Sequence, residues 1–530
     1  MTAYEYLKKQ NADRLDYIAI DSETGNFTYR ELFDMIDTTA AALWKMGIKE
    51  GKKVLSMFPV LPHESFLFYG VDTVGAVLCQ IAPQYTATEV CDFAKRIDVD
   101  IFFVFDPILT LEMEQMIYQN TKVRHIISVN FSPLQNRDER TIEWNAFIAM
   151  GQGVILPEIP RDPDNLLFLA STGGSTGEPK SVMLNDNCFN FAVHQYLNSD
   201  VPYRAADRWM RLWPIFSASA AVANHHLPLC TGMRMLLRQF PIDITSFDRM
   251  VLDDKPNHLI LIPQLLDILE HSKLLKNKDL SFITTAGCGG LALTAQFEKR
   301  VNHFMVSHKI DSFIGHGWGS TECAATGTCR INRETTRIGT VGVPTVNSIV
   351  AAFNPESGEE LKYNEIGELC ICSPNLMMGY YGDPDLTATV LRKHTDGNVW
   401  LHTGDLGAID EDGIVTVKGR MSRVIFVFPT AKIYPQTLES AVSKVTGVKE
   451  VVFCEIPDKE HDGFFLPVCF VVPNGICSAD EVKSNVAHYC EEAFPDYSRP
   501  KHVIVKERFP LTKVGKPDVC ALEKEAVQIK

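Results

Sequence analysis

The stretch Ser171-Thr-Gly-Gly-Ser-Thr-Gly-Glu-Pro-Lys180 constrains this chain more than any other. Seven of its first nine residues are Gly, Ser or Thr, and Pro179 and Lys180 close it. It follows an apolar run, Leu166-Leu-Phe-Leu-Ala170, that reads as a buried strand. A hydroxyl-rich loop leaving such a strand suits phosphate. Glycines let backbone N–H groups turn inward, hydroxyls add donors, and the lysine adds a positive charge. An ordinary polar surface loop has the same composition, and on this stretch alone both readings stand. It is not a P-loop, because Glu178 and Pro179 break that motif's register.

A chain of 530 residues exceeds one core, so at least two domains are expected. The net charge of −15 argues against non-specific binding to nucleic acid or anionic membrane, yet a nucleotide cleft can still be locally basic. Met1–Gln10 does not read as a leader, and no apolar run is long enough to span a bilayer. The 14 cysteines lack Cys-x-x-Cys pairs. That reads as a reduced, cytoplasmic protein using cysteine as a small hydrophobe, with no metal–thiolate site indicated. Cys370 and Cys372 alternate along a strand-like run, and His225-His226 has no further ligand cluster, so a structural role is expected for that pair.

The pattern along the chain predicts an α/β fold: parallel-type sheets with helices, a β-rich subdomain, and a small α+β domain. Tyr17–Ile20 and Phe27–Tyr29 read as a hairpin, and Thr28 caps a helix running to Met46. Lys53–Met57, Val99–Phe105 and His125–Val129 read as strands, Gly70–Gln80 as a largely apolar helix, and residues 130–165 as a connector. Beyond Glu322 short strands alternate with Gly, Pro and Asp turns. The expected domains are residues 1–420 and 421–530, the second long enough to stand alone.

Five motifs fall in one order: STGGSTGEPK at 171–180, WGSTE at 318–322, HTGDLG at 402–407, GR at 419–420 and PLTKVGK at 510–516. Together they resemble the adenylate-forming superfamily, which comprises acyl-CoA synthetases, peptide-synthetase adenylation domains and firefly-type luciferases, and within it the acyl-CoA synthetase branch. The resemblance covers nearly the whole chain; Tyr29-Arg-Glu-Leu32, Gly367-Glu-Leu369 and Gly379-Tyr380 look like weaker family signatures. It implies a large N-terminal domain, a small mobile C-terminal domain carrying a catalytic lysine, and a cleft between them. It also implies a substrate set of a carboxylic acid, ATP with Mg²⁺, and CoA. The carboxylate attacks the α-phosphorus, pyrophosphate leaves, and the thiol of CoA takes the acyl group from the adenylate.

In that reaction charge neutralisation and positioning dominate. By resemblance, Thr172, Gly173, Gly174, Ser175, Thr176, Gly177 and Lys180 hold the β- and γ-phosphates. Thr321 approaches the α-phosphate, Glu322 ligates Mg²⁺, and Trp318 stacks on adenine where the family usually has tyrosine. Asp405 and Arg420 take the ribose hydroxyls, and Lys516 binds the oxygens that gain charge in the transition state. Without the resemblance, Trp318 reads as core, Asp405 as a turn residue and Lys516 as surface. The acyl pocket is expected among 213–222, 286–291 and 314–326, with Phe216, Ser217, Gly287, Cys288, Gly289 and Gly317 lining it. Small side chains there leave room for a bulky apolar or aromatic acid, though close helix packing explains them equally well.

Four positions depart from the family pattern. Ser181 replaces a glycine, Ser217 a common histidine, Ser422 the usual hinge residue, and Pro429-Thr430 stiffens a loop that generally carries glycine. These touch thioester formation more than adenylation. Transfer to a carrier-protein phosphopantetheine is therefore an alternative, with the carrier separate because none follows Lys530. A non-catalytic nucleotide-binding protein is the alternative of another class, and Glu322, Asp405 and Lys516 argue against it.

Overall fold

Six parallel strands form the centre of a nine-stranded sheet in this computed structural model. In sheet order they are Ile314–Trp318, Thr285–Cys288, His258–Ile260, Arg208–Arg211, Arg234–Leu237 and Ile18–Ser22. The structure describes residues 1–131, 136–172, 180–238, 244–288, 295–427, 431–461, 464–512 and 516–528. Antiparallel strands close both ends of the sheet: Thr328–Cys329 with Val343–Pro344, and Gly25–Thr28. A second, eight-stranded sheet carries Leu166–Thr172, Val77–Gln80, Lys53–Met57, Ile101–Phe105, Ile126–Val129 and Thr141–Glu143 in parallel, with Lys180–Asn185 and Gly379–Tyr380 added antiparallel. Helices between successive strands supply the crossovers that parallel pairing requires.

The helices form where the sequence offers caps and an apolar face. Thr28 accepts from the Glu31 backbone while the Glu31 side chain returns to the Thr28 N–H, starting the helix Tyr29–Lys45. Its buried face runs Leu32, Phe33, Ile36, Ala40 and Leu43; such a cap contributes about 1 kcal/mol. Two sequence expectations are corrected. The stretch Gly70–Gln80 is not one helix: a helix His63–Val74 ends at Gly75, and Val77–Gln80 is a strand between two others. The supposed connector 130–165 contains the strand Thr141–Glu143 and the helix Trp144–Gly151, whose Trp144 and Phe147 are core residues.

His225 and His226 are buried and bonded to Ser65 Oγ and Tyr69 OH, both at 2.9 Å, consistent with the structural role expected of them. All 14 cysteines are free thiols. Among the described residues no helix is long and apolar enough to cross a membrane.

The β-rich part is a five-stranded antiparallel sheet: Ile349–Phe353, Gly367–Cys372, Val399–Ile409 and Leu391–Lys393 in order, with Val415–Arg420 also paired to the third. After Arg420 comes a small sheet of Val448–Pro457, Phe465–Pro473 and His502–Val505, with helices Pro435–Val442, Ala479–Ala493 and Val519–Ala526. Its apolar side chains, among them Phe453, Cys469, Val471, Val482 and Leu522, form their own core clusters.

Candidate active site

The site is built on a bulge. In the five-stranded sheet Glu368 pairs with Leu406 and Cys370 with His402, so Leu369 alone faces Thr403-Gly404-Asp405. The extra residues are pushed out of the ladder, and a bulge of this kind re-aims a side chain. Gly404 has φ +72°, a left-handed conformation that suits glycine. Three hydrogen bonds fix the extrusion. Thr403 Oγ1 donates to Leu369 O at 2.6 Å, Gly404 N to Glu368 Oε1 at 3.0 Å, and Asp405 N to Thr403 Oγ1 at 3.1 Å.

Asp405 is 7 % exposed and meets two cationic or donor groups brought by other elements. Trp318 Nε1 donates to its Oδ2 at 2.7 Å. Arg420, its cross-strand partner, places Nε 2.7 Å from Oδ1 and donates from Nη1 to Thr403 O at 2.7 Å. Burial raises the Asp405 carboxyl above its ordinary range, while Arg420 and the Trp318 hydrogen bond hold it down. Lys516 lies within electrostatic reach of both Asp405 and Arg420. Its turn is closed by Thr512, whose N–H donates to Lys516 O at 2.7 Å and whose Oγ1 accepts from Lys516 N at 3.2 Å. The side chain is exposed. Desolvation by the protein around it lowers its ammonium pKa, Arg420 lowers it further, and Asp405 opposes.

Glu322 follows in a short 3₁₀ turn, Thr321–Cys323, just after the strand that ends at Trp318. Tyr380 OH donates to its Oε1 at 2.8 Å, and the Lys180 ammonium lies 5.2 Å from the Tyr380 ring centroid. Burial and the Glu322 charge raise the Tyr380 phenol, keeping it a donor. Lys180, Glu322, Asp405, Arg420 and Lys516 thus converge from five motifs. A half-buried carboxylate with one oxygen steadied by a phenol is a suitable single protein ligand for Mg²⁺, which takes most of its other oxygens from phosphate and water. Sequence reasoning noted Tyr380 only as a family signature; its bond to Glu322, 58 positions away, has no local signal.

The expected pocket residues divide. Gly287 pairs with Gly315, and a Cβ added at Gly287 would meet only ordinary contacts, Ile260 Cγ1 and Leu259 O at 3.6 Å. Packing does not force glycine at this bare patch of sheet. Gly317 is different: a Cβ there would lie 2.4 Å from Thr328 O, so glycine is needed for strand approach. Phe216 and Ser217 are half-buried; Ser217 Oγ caps the helix Ala218–Ala221 and lies 3.3 Å from Ser219 Oγ. The Cys288 side chain packs into the core with Val301 and Phe304, and burial pushes its thiol up to about 12. Thr172 ends its strand opposite Lys180. Gly173, Gly174, Ser175, Thr176, Gly177, Gly289 and Pro429-Thr430 lie outside the described residues.

The AMP-binding enzyme model matches residues 7–381, and the AMP-binding enzyme C-terminal domain matches residues 437–516. The chain belongs to the AMP-binding enzyme family. It is 27 % identical over 507 residues to 4-coumarate–CoA ligase 1 of Solanum tuberosum, covering 92 % of this chain and 87 % of that one. Among solved structures it resembles the anthranilate CoA ligase AuaEII in complex with anthranoyl-AMP, with a TM-score of 0.86, 19 % identity, and 99 % of this chain and 97 % of that one covered. It also resembles the amide bond synthetase McbA from Marinactinospora thermotolerans, with a TM-score of 0.82, 20 % identity, and 99 % of each chain covered. At these identities the structural likenesses speak for the fold.

Proposed function

We propose that this member of the family is an ATP-dependent carboxylic acid–CoA ligase: it activates a bulky apolar or aromatic acid as the acyl-adenylate and passes the acyl group to CoA. The observation that carries the reading is the convergence of Trp318 and Arg420 on the Asp405 carboxylate, because it joins three motifs far apart in sequence, with Lys516 of a fourth within electrostatic reach. The bare Gly287–Gly315 patch and the similarity to a 4-coumarate–CoA ligase support the aromatic acid. On this reading the domain border falls at Arg420-Met421, where the strand Val415–Arg420 gives way to a 3₁₀ turn, Met421–Arg423.

Each residue then has a task. Lys180 faces the phosphates that leave, and Glu322, steadied by Tyr380, holds Mg²⁺, which neutralises phosphate charge when bound. Asp405 accepts the ribose hydroxyls, each of its oxygens keeping a lone pair beyond the one given to Trp318 or Arg420. Lys516 sets its ammonium against the charge that grows during attack of the carboxylate.

Pyrophosphate exchange with a panel of short-chain, long-chain and aryl acids tests the first step, and thioester formation with CoA tests the second. Lys516→Ala is expected to lower exchange at least a hundredfold while ATP still binds. Exchange at the wild-type rate in that variant would overturn the mechanism. Turnover of acetate alone would overturn the substrate class, and acyl transfer only to a carrier protein would overturn the acceptor.

A further inference from the structure

Beside the bulge lies a cluster that the adenylation reading leaves largely without a task. Glu368 and Cys370 are two residues apart on one strand, so they share a face, and Cys370 pairs directly with His402 on the next. His402 Nδ1 is 2.8 Å from Glu368 Oε2 and 3.4 Å from Cys370 Sγ. The three donor atoms all lie within 4.8 Å of one another. The His402 and Glu368 side chains are 9 % and 11 % exposed, and Cys370 is fully buried.

This is a sulfur–nitrogen–oxygen donor set with the dimensions of a zinc site. Tetrahedral legs of about 2.05 Å to nitrogen and 2.3 Å to sulfur set the two roughly 3.6 Å apart. The Nδ1–Sγ separation already fits, and the Glu368 oxygen needs to withdraw by about 0.6 Å to fit as well. The other side of the ring is prepared too. His402 Nε2 faces His394 Nε2 at 2.9 Å, so one nitrogen must carry hydrogen and the other a lone pair. The His394 ring is held on Trp400, centroids 5.5 Å apart and planes 22° apart, and edge-on to Phe353 at 4.8 Å.

We propose that Cys370, His402 and Glu368 bind one Zn²⁺ ion, with His394 as a positioning residue for His402. In the metal-free chain His402 Nδ1–H donates to Glu368, and His394 Nε2–H donates to His402. On binding, Cys370 loses its thiol proton and His402 its Nδ1 proton. The proton between the two imidazoles moves onto His402 Nε2, and His394 regains one at Nδ1 from solvent. The net result is one proton released, so binding tightens as pH rises. A histidine ligand whose second N–H has a fixed acceptor is the usual arrangement around such metals. Glu368 Oε1 stays on Gly404 N–H, which puts the ion one contact from the loop that carries Asp405.

The test uses the full chain, dialysed against a chelator and titrated with Co²⁺ as a coloured stand-in. One equivalent is expected to give a thiolate-to-cobalt charge-transfer band in the near ultraviolet and the intense visible bands of a tetrahedral centre. One equivalent of Zn²⁺ should bleach both. Cys370→Ser should abolish the thiolate band, His394→Gln should weaken Co²⁺ binding about tenfold, and Glu322→Gln should leave the band in place. If Cys370→Ser misfolds, judged by circular dichroism, His402→Gln takes its place with the same expectation. No thiolate band in the wild-type chain, or a band that survives the folded Cys370 or His402 variant, would overturn the proposal.

Discussion

Trp318 Nε1 donates to Asp405 Oδ2 at 2.7 Å, and the bond links two sheets that share no strand. Trp318 ends a parallel strand of the nine-stranded sheet, whereas Asp405 sits on the bulge of the five-stranded one. With Arg420 on its other oxygen, the carboxylate is oriented before any ligand arrives, and pre-orientation reduces what binding must spend on ordering. Trp318→Phe keeps the aromatic face and removes the donor. A hydrogen bond to a charged group contributes about 1.5–3 kcal/mol, so the KM for ATP in pyrophosphate exchange should rise roughly tenfold or more, with kcat little changed. An unchanged KM would show that Arg420 alone orients Asp405.

The Tyr380–Glu322 bond gives a second, separable expectation. Tyr380→Phe removes the donor to Glu322 Oε1 and leaves the ring beneath Lys180. Loss of a partner that orients a metal ligand typically costs 10–100-fold in metal affinity or activity. The Mg²⁺ concentration giving half-maximal exchange should therefore rise about tenfold and saturating Mg²⁺ should restore much of the rate. A rate loss that no Mg²⁺ concentration repairs would place Tyr380 against the substrate instead.

On the proposed function, Lys516 sets the pH dependence of adenylation. Its charged form is then the active one, and desolvation together with Arg420 lowers its pKa below the ordinary lysine value of about 10.4. A lowered pKa means the ammonium is lost earlier as pH rises. The profile of kcat/KM for ATP should thus turn down on the alkaline side below that value. Arg420→Gln removes one of the two lowering causes and should shift the limb upward, whereas Lys516→Arg should remove it. A limb that stays in place in both variants belongs to another group.

Much of this was legible in the sequence, and what was not has physical causes. Asp405, Arg420 and Glu322 stand out because each lies in one of five ordered motifs that resemble a family; on its own Asp405 reads as a turn residue. Their pairings do not stand out: the donor to Asp405 is 87 positions away and the donor to Glu322 is 58 away, and such pairings exist only once sheets are docked. The stretch 70–80 misled because a buried helix and a buried strand are both continuously apolar, and Gly75, at φ +75°, is where one becomes the other. The Glu368–Cys370–His402 cluster escaped for a related reason. Cys370 and Cys372 revealed the strand, but only the bulge sets His402 opposite Cys370.

The start of the chain is pinned by a second buried charge arrangement, and it makes a stability prediction. Asp72 Oδ2 accepts from Tyr4 N and Asp186 Oδ1 from Ala3 N, both at 2.7 Å, so two carboxyls cap the first turn of the helix Ala3–Gln10. Arg161 is 3.4 Å from Asp72 and 3.7 Å from Asp186 and is the cation facing both. Asp186 Oδ2 is buried with no donor, which a proton shared with Asp72 explains. Burial and the Asp72 charge accordingly push Asp186 up to about 9. A folded pKa raised above the unfolded value means that folding takes up a proton. The contribution is fully present below the unfolded pKa of about 3.9 and is lost progressively as pH rises towards 9. Asp186→Asn keeps an acceptor for Ala3 N, offers a donor to Asp72, and cannot titrate. The wild-type chain should lose stability between pH 6 and 9, and the variant should lose less, so that it melts higher at pH 9. Protease protection of the first ten residues at the two pH values would locate the effect. Equal pH dependence in the two proteins would mean that the carboxyl pair shares no proton.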